Sequence, residues 1–144
     1  MYSLDWLIPN KVAYARVYGR HTLEDMERSN ADFKILLDAA GGPAHLIMDM
    51  RAAEKLPIQI KRGQESLEVA KHPNLGWVVS VGSTNEIVKY VGIMLVKIFR
   101  LRFQRLNSMQ EVIDFLHSLD PNLNWSAARL ELLVNDAELR FPVA

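Results

Sequence analysis

The chain has 144 residues, of which 49% are hydrophobic, so its length and composition fit a folded domain with a sizeable core. Lys plus Arg equals Asp plus Glu at 17 each, and this balance argues against nucleic acid as a partner. The absence of cysteine excludes disulfides, thiolate nucleophiles and Cys-type zinc sites. Because we find neither a leader-like start nor an uncharged run of roughly 20 residues, we expect a cytoplasmic protein without a transmembrane segment.

Apolar strand-like runs alternate with amphipathic helical runs along the chain. In order, the sequence predicts strands at 4–8 and 12–18, a helix at 22–40, a strand at 45–50, a loop at 51–56, a helix at 57–71, a strand at 77–81, a helix at 85–100, a strand at 102–106 and a helix at 108–119. Thr22 with Asp25, and Ser108 with Glu111, are typical of helix N-termini. The apolar run 77–81 favours a central strand of a parallel sheet. This order predicts an α/β fold, a mixed sheet of about five strands with four helices.

The helix predicted at 85–100 is unusually apolar. Its apolar side chains cover an arc of about 240°, whereas packing on one face of a sheet needs a stripe of only ~100° or somewhat more. Tyr90, Met94 and Ile98 lie on the additional arc. We expect this arc to be covered by a second copy of the chain, by the C-terminal residues or by a ligand.

Residues 121–144 follow the turn-like Asp120-Pro121-Asn122 and form a C-terminal extension. The extension contains Trp125 and Phe141 among several leucines, which is too apolar for a free tail. We therefore expect a domain at 1–120 and an extension at 121–144 that packs on that domain or on a second subunit.

The order of elements resembles the STAS fold of anti-sigma-factor antagonists, and most closely its SpoIIAA-like branch. The stretches that carry the resemblance are His-Leu-Ile-Met-Asp-Met at 45–50 and Pro-Asn-Leu-Gly-Trp-Val-Val-Ser-Val-Gly at 73–82. It covers residues 4–119 and implies a non-enzymatic regulatory or protein-interaction module. In antagonists of that type, a partner kinase phosphorylates a serine in a turn after the third strand. The corresponding stretch here, 49–56, contains no serine or threonine.

In open α/β sheets, ligands bind beyond the carboxyl ends of the strands. We therefore expect a ligand or partner surface among the polar residues that follow the predicted strands. These residues are Asp49, Arg51, Glu54, Ser83, Thr84, Asn107 and Ser108. The start of the helix after 77–81 could hold an anion, but we favour a simple N-cap by Ser83 or Thr84. No serine here has an adjacent base, so we predict no catalytic residue.

The remaining polar features point to no metal or cofactor. The four histidines, His21, His45, His72 and His117, fall in four different elements without the spacing of a metal site. A basic cluster at 97–105 is typical of a charged edge strand, with contact to an anionic membrane surface as the alternative.

Three functions follow, in order of preference. The first is a regulatory module that binds a protein partner and forms a homodimer through Tyr90, Met94 and Ile98. The second is a binder of a small apolar or lipid-like ligand in a cavity lined by Trp77, Tyr90 and Met94. The third is an enzyme that uses Asp49 or His21.

Overall fold

The computed structural model describes residues 1–55, 71–82, 102–133, 136 and 138–142. Its strands are β1 (Tyr2–Ile8), β2 (Val12–Arg20), β3 (Ala44–Lys55), β4 (Leu75–Val81) and β5 (Phe103–Leu106). Its α-helices are α1 (Leu23–Ala39) and α2 (Met109–Leu119), and short 3₁₀ turns follow at Trp125–Ala127 and Leu130–Leu133. The helices predicted at 57–71 and 85–100 lie almost wholly outside the described residues.

The five strands form one mixed sheet in the order β1-β2-β3-β4-β5. β1 is antiparallel to β2, and the other three pairs are parallel. The predicted hairpin is confirmed, and its turn contains Asn10 with φ 62°, a left-handed conformation that asparagine tolerates. β4 lies between β3 and β5, as its continuous apolar run predicts.

β3 is longer than predicted. The loop expected at 51–56 was wrong, because residues 51–55 continue the strand and pair with β2 as far as Arg20 with Lys55. Strand pairing uses backbone groups, so charged residues such as Arg51 and Glu54 are tolerated where their side chains reach solvent. β4 pairs with β3 only as far as Val81, the partner of Asp49, so the end of β3 projects beyond β4.

Both helix starts use the predicted caps. Thr22 Oγ1 accepts from the Asp25 N–H, and Asp25 Oδ2 accepts in return from the Thr22 N–H, each at 3.1 Å. Ser108 Oγ likewise accepts from the Glu111 N–H at 3.2 Å. The Glu111 carboxylate, however, accepts from the N–H of Asn107 at 2.8 Å. The second capping box therefore closes one residue earlier than its usual form.

The sheet is apolar on both faces. Successive residues of a strand point to opposite faces, so Leu46 packs with α1 while Ile47 packs with α2. The α1 cluster contains Ala13, Phe33, Leu37, Ala44, Leu46, Leu75 and Val78. The α2 cluster contains Leu7, Ile8, Val12, Tyr14, Ile47, Val79, Val81, Met109, Val112, Ile113, Leu116, Leu123, Trp125 and Leu133. The residues after α2 thus contribute to the core on the α2 face.

Candidate functional site

Two residues of the predicted surface, Asp49 and Arg51, form the centre of a partly buried polar cluster. They alternate with Met50 on β3, so their side chains lie on the same face of the sheet. Arg51 Nε and Nη2 donate to Asp49 Oδ1 and Oδ2 at 2.9 and 2.8 Å. The Tyr14 hydroxyl on β2 donates a short hydrogen bond to Asp49 Oδ2. Asp49 is only 3% exposed, so these donors replace the water that its carboxylate loses on folding.

A second carboxylate reaches the same guanidinium from the C-terminal extension. Arg51 Nη1 and Nη2 donate to Asp136 Oδ1 and Oδ2 at 2.6 and 2.8 Å. Arg51 is therefore held between Asp49 and Asp136, with two hydrogen bonds to each side chain. Neither Tyr14 nor Asp136 was predicted from the sequence. Asp136 is one of three acidic residues in the extension, with Glu131 and Glu138, so its residue type did not distinguish it, and Tyr14 gave no signal either.

The cluster favours the protonation state that each of its groups ordinarily has at neutral pH. Burial raises the pKa of Asp49, but hydrogen bonds from Arg51 and Tyr14 outweigh burial and keep that pKa below its ordinary value. Burial and the bond to Asp49 raise the pKa of Tyr14. The bonds to Asp136 and Asp49 raise the pKa of Arg51. A general acid or base needs a pKa near the working pH, so this arrangement suits recognition better than proton transfer.

A pocket of about 240 Å³ lies beside the cluster. It is lined by Tyr14, Arg16, Asp49, Arg51, Ala52, Leu132 and Asp136. Ligand pockets commonly enclose roughly 300–1,000 Å³ with mostly apolar walls, so this one is small and polar for that use. It fits a few polar atoms of a partner better than a whole apolar ligand.

Three further residues of the predicted surface, Glu54, Asn107 and Ser108, lie along the same edge of the sheet. Glu54 is exposed near the end of β3, and exposed Asn107 and half-buried Ser108 lie between β5 and α2. Val81 pairs with both Asp49 and Leu106, so Asn107 follows β5 at the level of Asp49. Two strand spacings separate β3 from β5, about 10 Å. Ser83, Thr84, Tyr90, Met94 and Ile98 lie outside the described residues.

The histidines have separate local roles. His45 Nδ1 accepts from the Trp77 N–H at 2.9 Å, and its ring packs against Gly76. His72 Nε2 lies 2.6 Å from Asp38 Oδ1 at the end of α1. His21 is 5% exposed, and its Nδ1 has no hydrogen-bond partner in the part of the chain that the structure describes. Across residues 1–55, 71–82 and the described part of 102–142, no three His, Asp or Glu side chains could hold a metal.

The comparisons with known proteins identify the fold. No protein-family model matches the sequence, and no curated protein matches it. Solved structures do match, among them the anti-sigma factor antagonist SpoIIAA in its unphosphorylated form and the Bacillus cell fate determinant SpoIIAA in its phosphorylated form. The first has a TM-score of 0.54 and 11% identity, and the match covers 81% of this chain and 98% of that chain.

The second structure has a TM-score of 0.53 and 11% identity, with 81% of this chain and 99% of that chain covered. The chain has a SpoIIAA-like fold. The expected resemblance to the STAS fold is thereby confirmed at the level of architecture. Since SpoIIAA is covered almost completely and this chain is not, the chain carries residues beyond the SpoIIAA-like fold. None of the described helices is long and apolar enough to cross a membrane.

Proposed function

We propose that this chain is a non-enzymatic regulatory module that binds a protein partner in the SpoIIAA manner, without a phosphorylated serine after its third strand. The SpoIIAA-like fold is the observation that carries the proposal. SpoIIAA is an anti-sigma factor antagonist, and an antagonist of another protein acts by contact with a protein. A protein-interaction role therefore fits this fold in general.

The sequence from Asp49 onward supports the absence of a phosphorylated serine after the third strand. β3 extends to Lys55, and no serine or threonine occurs from Asp49 to Glu65. The first hydroxyl after β3 is that of Ser66, ten residues beyond Leu56. Under the proposal, partner binding is controlled by something other than a phosphate in the turn after β3.

The chemistry of the polar cluster supports a role without catalysis. Asp49 stays ionised and Tyr14 stays protonated at neutral pH, because each pKa moves away from that range. Arg51 is neutralised by two carboxylates rather than left free to polarise a substrate. The alternative of a small apolar ligand gains no support from these residues, since their pocket is small and polar.

The proposed partner surface is the edge of the sheet that carries Arg51, Glu54 and Asn107, with Ser83, Thr84 and Ser108 as further members. The proposal divides the chain into a domain at 1–120 and an extension at 121–144. Burial of Leu123, Trp125 and Leu133 on the α2 face supports packing of the extension on its own domain. Self-association through Tyr90, Met94 and Ile98 stays a prediction.

Cross-linking and capture with matched variants tests the proposal. An affinity-tagged chain is expressed in its native cells as wild type, as Glu54→Lys with Asn107→Arg, and as Glu27→Lys. Glu27 is an exposed carboxylate of α1, which packs on the opposite face of the sheet, so Glu27→Lys controls for the reversal of one surface charge.

We expect a protein that is captured by wild type and Glu27→Lys and is lost with the double variant. Equal capture by all three forms, or capture of no protein by any of them, would contradict the proposed surface. Quantitative mass spectrometry of the captured proteins gives the readout.

A further inference from the structure

The residues after α2 are packed on the domain as a strap, which we define as residues 123–133, 136 and 138–142. Leu123, Trp125 and Leu133 of the strap are buried among the side chains of the α2 face. The strap contains 3₁₀ turns but no α-helix or strand in its described residues. Its conformation therefore depends on contacts with the domain rather than on cooperative structure of its own.

Polar contacts hold the strap on both sides of Asp136. On the N-terminal side, the Arg129 N–H donates to the carbonyl oxygen of Leu7 on β1 at 2.8 Å. On the C-terminal side, the Gln110 amide on α2 holds the backbone of Arg140: its Nε2 donates to the carbonyl at 2.9 Å and its Oε1 accepts from the N–H at 2.7 Å. A side-chain amide bonded in this way recognises an extended backbone and does not depend on a particular side chain.

Between these two contacts, Asp136 of the strap binds Arg51 of β3. The Arg51 guanidinium has the geometry of a carboxylate receptor. Asp49 occupies Nε and part of Nη2, which orients the guanidinium from within the domain. The outer edge, Nη1 and Nη2, then faces Asp136 of the strap. An oriented guanidinium binds a carboxylate in a bidentate manner at low cost in conformational entropy. The Arg51 side chain is 34% exposed, so another carboxylate can approach from solvent.

The fit of the strap is incomplete. The indole Nε1 of Trp125 is buried, and so is Nδ1 of His117 on α2, which lies in the pocket beside Arg140. Neither atom has a hydrogen-bond partner among the residues described. A buried polar atom without a partner opposes the packed state, which favours release of the strap over release of a core strand.

We propose that the strap occupies the Arg51 receptor in cis through Asp136, and that an acidic, apolar segment of a protein partner displaces it. This inference rests on the proposed interaction function and adds its regulation. The strap itself defines the chemistry of the partner segment: two apolar residues like Leu132 and Leu133, followed after two residues by a carboxylate. Nearly complete coverage of SpoIIAA by the match shows that this fold exists with fewer residues than the present chain has.

Binding of a strap peptide in trans tests the proposal without a cellular partner. The probe is a fluorescein-labelled peptide with the sequence of residues 129–142, and fluorescence anisotropy gives its affinity for the full chain. Asp136→Asn weakens the competitor in cis, so the peptide should bind this variant about tenfold more tightly than wild type. Glu138→Gln is the matched control, because Glu138 is an exposed carboxylate of the same strap. It should bind the peptide as wild type does.

Two results would overturn the proposal. One is an affinity for Asp136→Asn no higher than for Glu138→Gln. The other is unchanged binding of a peptide that itself carries Asp136→Asn. Arg51→Gln should lose the peptide while its circular dichroism stays that of wild type, which separates loss of the receptor from loss of the fold.

Should Asp136→Asn unfold the chain, hydrogen exchange of the wild type decides. Amides of the strap that exchange at least about tenfold faster than those of β4 support a strap that opens on its own, and equal protection overturns it. Failure of these measurements leaves the partner-capture proposal intact. Failure of partner capture likewise leaves the affinity of the strap for Arg51 unchanged.

Discussion

The partly buried cluster of Tyr14, Asp49 and Arg51 should behave energetically as one unit. We predict its response to Tyr14→Phe and Asp49→Asn, made singly and together. Asp49 is 3% exposed and accepts four hydrogen bonds: one from the Tyr14 hydroxyl and three from Arg51, whose backbone N–H is one of the donors, at 3.2 Å. Loss of one partner of a fully buried ion pair costs about 3–5 kcal/mol.

Two features of the structure reduce that figure here. Arg51 is one-third exposed, and it keeps Asp136 as a partner. We therefore expect Asp49→Asn to lower the free energy of unfolding by about 2–3 kcal/mol. Tyr14→Phe removes one hydrogen bond to a charged acceptor, and we expect a loss of about 1–2 kcal/mol.

Urea unfolding of the four forms at pH 7 measures the coupling. Both single changes remove the same bond between Tyr14 and Asp49, so the double variant should lose at least about 1 kcal/mol less than the sum of the two. Glu54→Gln, an exposed change on the same strand, should stay within about 0.5 kcal/mol of wild type. A coupling energy below about 0.5 kcal/mol would refute the claim that the cluster is one unit.

Three further predictions follow. Gly76→Ala should lower the free energy of unfolding by about 1–3 kcal/mol, because its Cβ would lie 2.6 Å from His45 Nδ1. Gly42→Ala, whose Cβ meets nothing within 4 Å, should lower it far less. Thermal unfolding measures both, and equal losses would contradict the close packing of Gly76 on His45. Burial lowers the pKa of His21 below 6.5, so the unfolded chain binds the proton more readily and stability falls as pH drops below that value. His21→Phe should make the free energy of unfolding less dependent on pH between 7 and 5, by at most about 1.4 kcal/mol per unit, and an unchanged slope would contradict this. Met94→Lys should convert a dimer to a monomer in native mass spectrometry, and a variant that stays dimeric would exclude that interface.

Local patterns were sufficient to predict most of the described sheet. The alternation in β2 and the continuous apolar run of β4 follow directly from which faces of those strands are buried. The cap residues Thr22 and Ser108 were equally predictable, since each bonds within its own turn. The continuation of β3 through residues 51–55 was not predictable, because β2 supplies backbone partners to these residues whatever their side chains are.

The candidate site could be predicted only in part for a related reason. Asp49 and Arg51 are two residues apart on one strand, so alternation alone places them on one face. Tyr14 joins them through the pairing of β2 with β3, and Asp136 joins through the path of the extension, 85 residues after Arg51. Contacts of this kind depend on tertiary packing, and periodicity within a single element carries no information about them.

Native mass spectrometry of the tagged chain, captured gently from its own cells, tests the central claim most directly. The claim predicts a complex of the chain with a second protein, in which the mass of the chain carries no phosphate. The double variant Glu54→Lys with Asn107→Arg should not form that complex. Detection of the chain without a second protein but with a small-molecule adduct would contradict the account. So would a complex that forms only when the chain is phosphorylated.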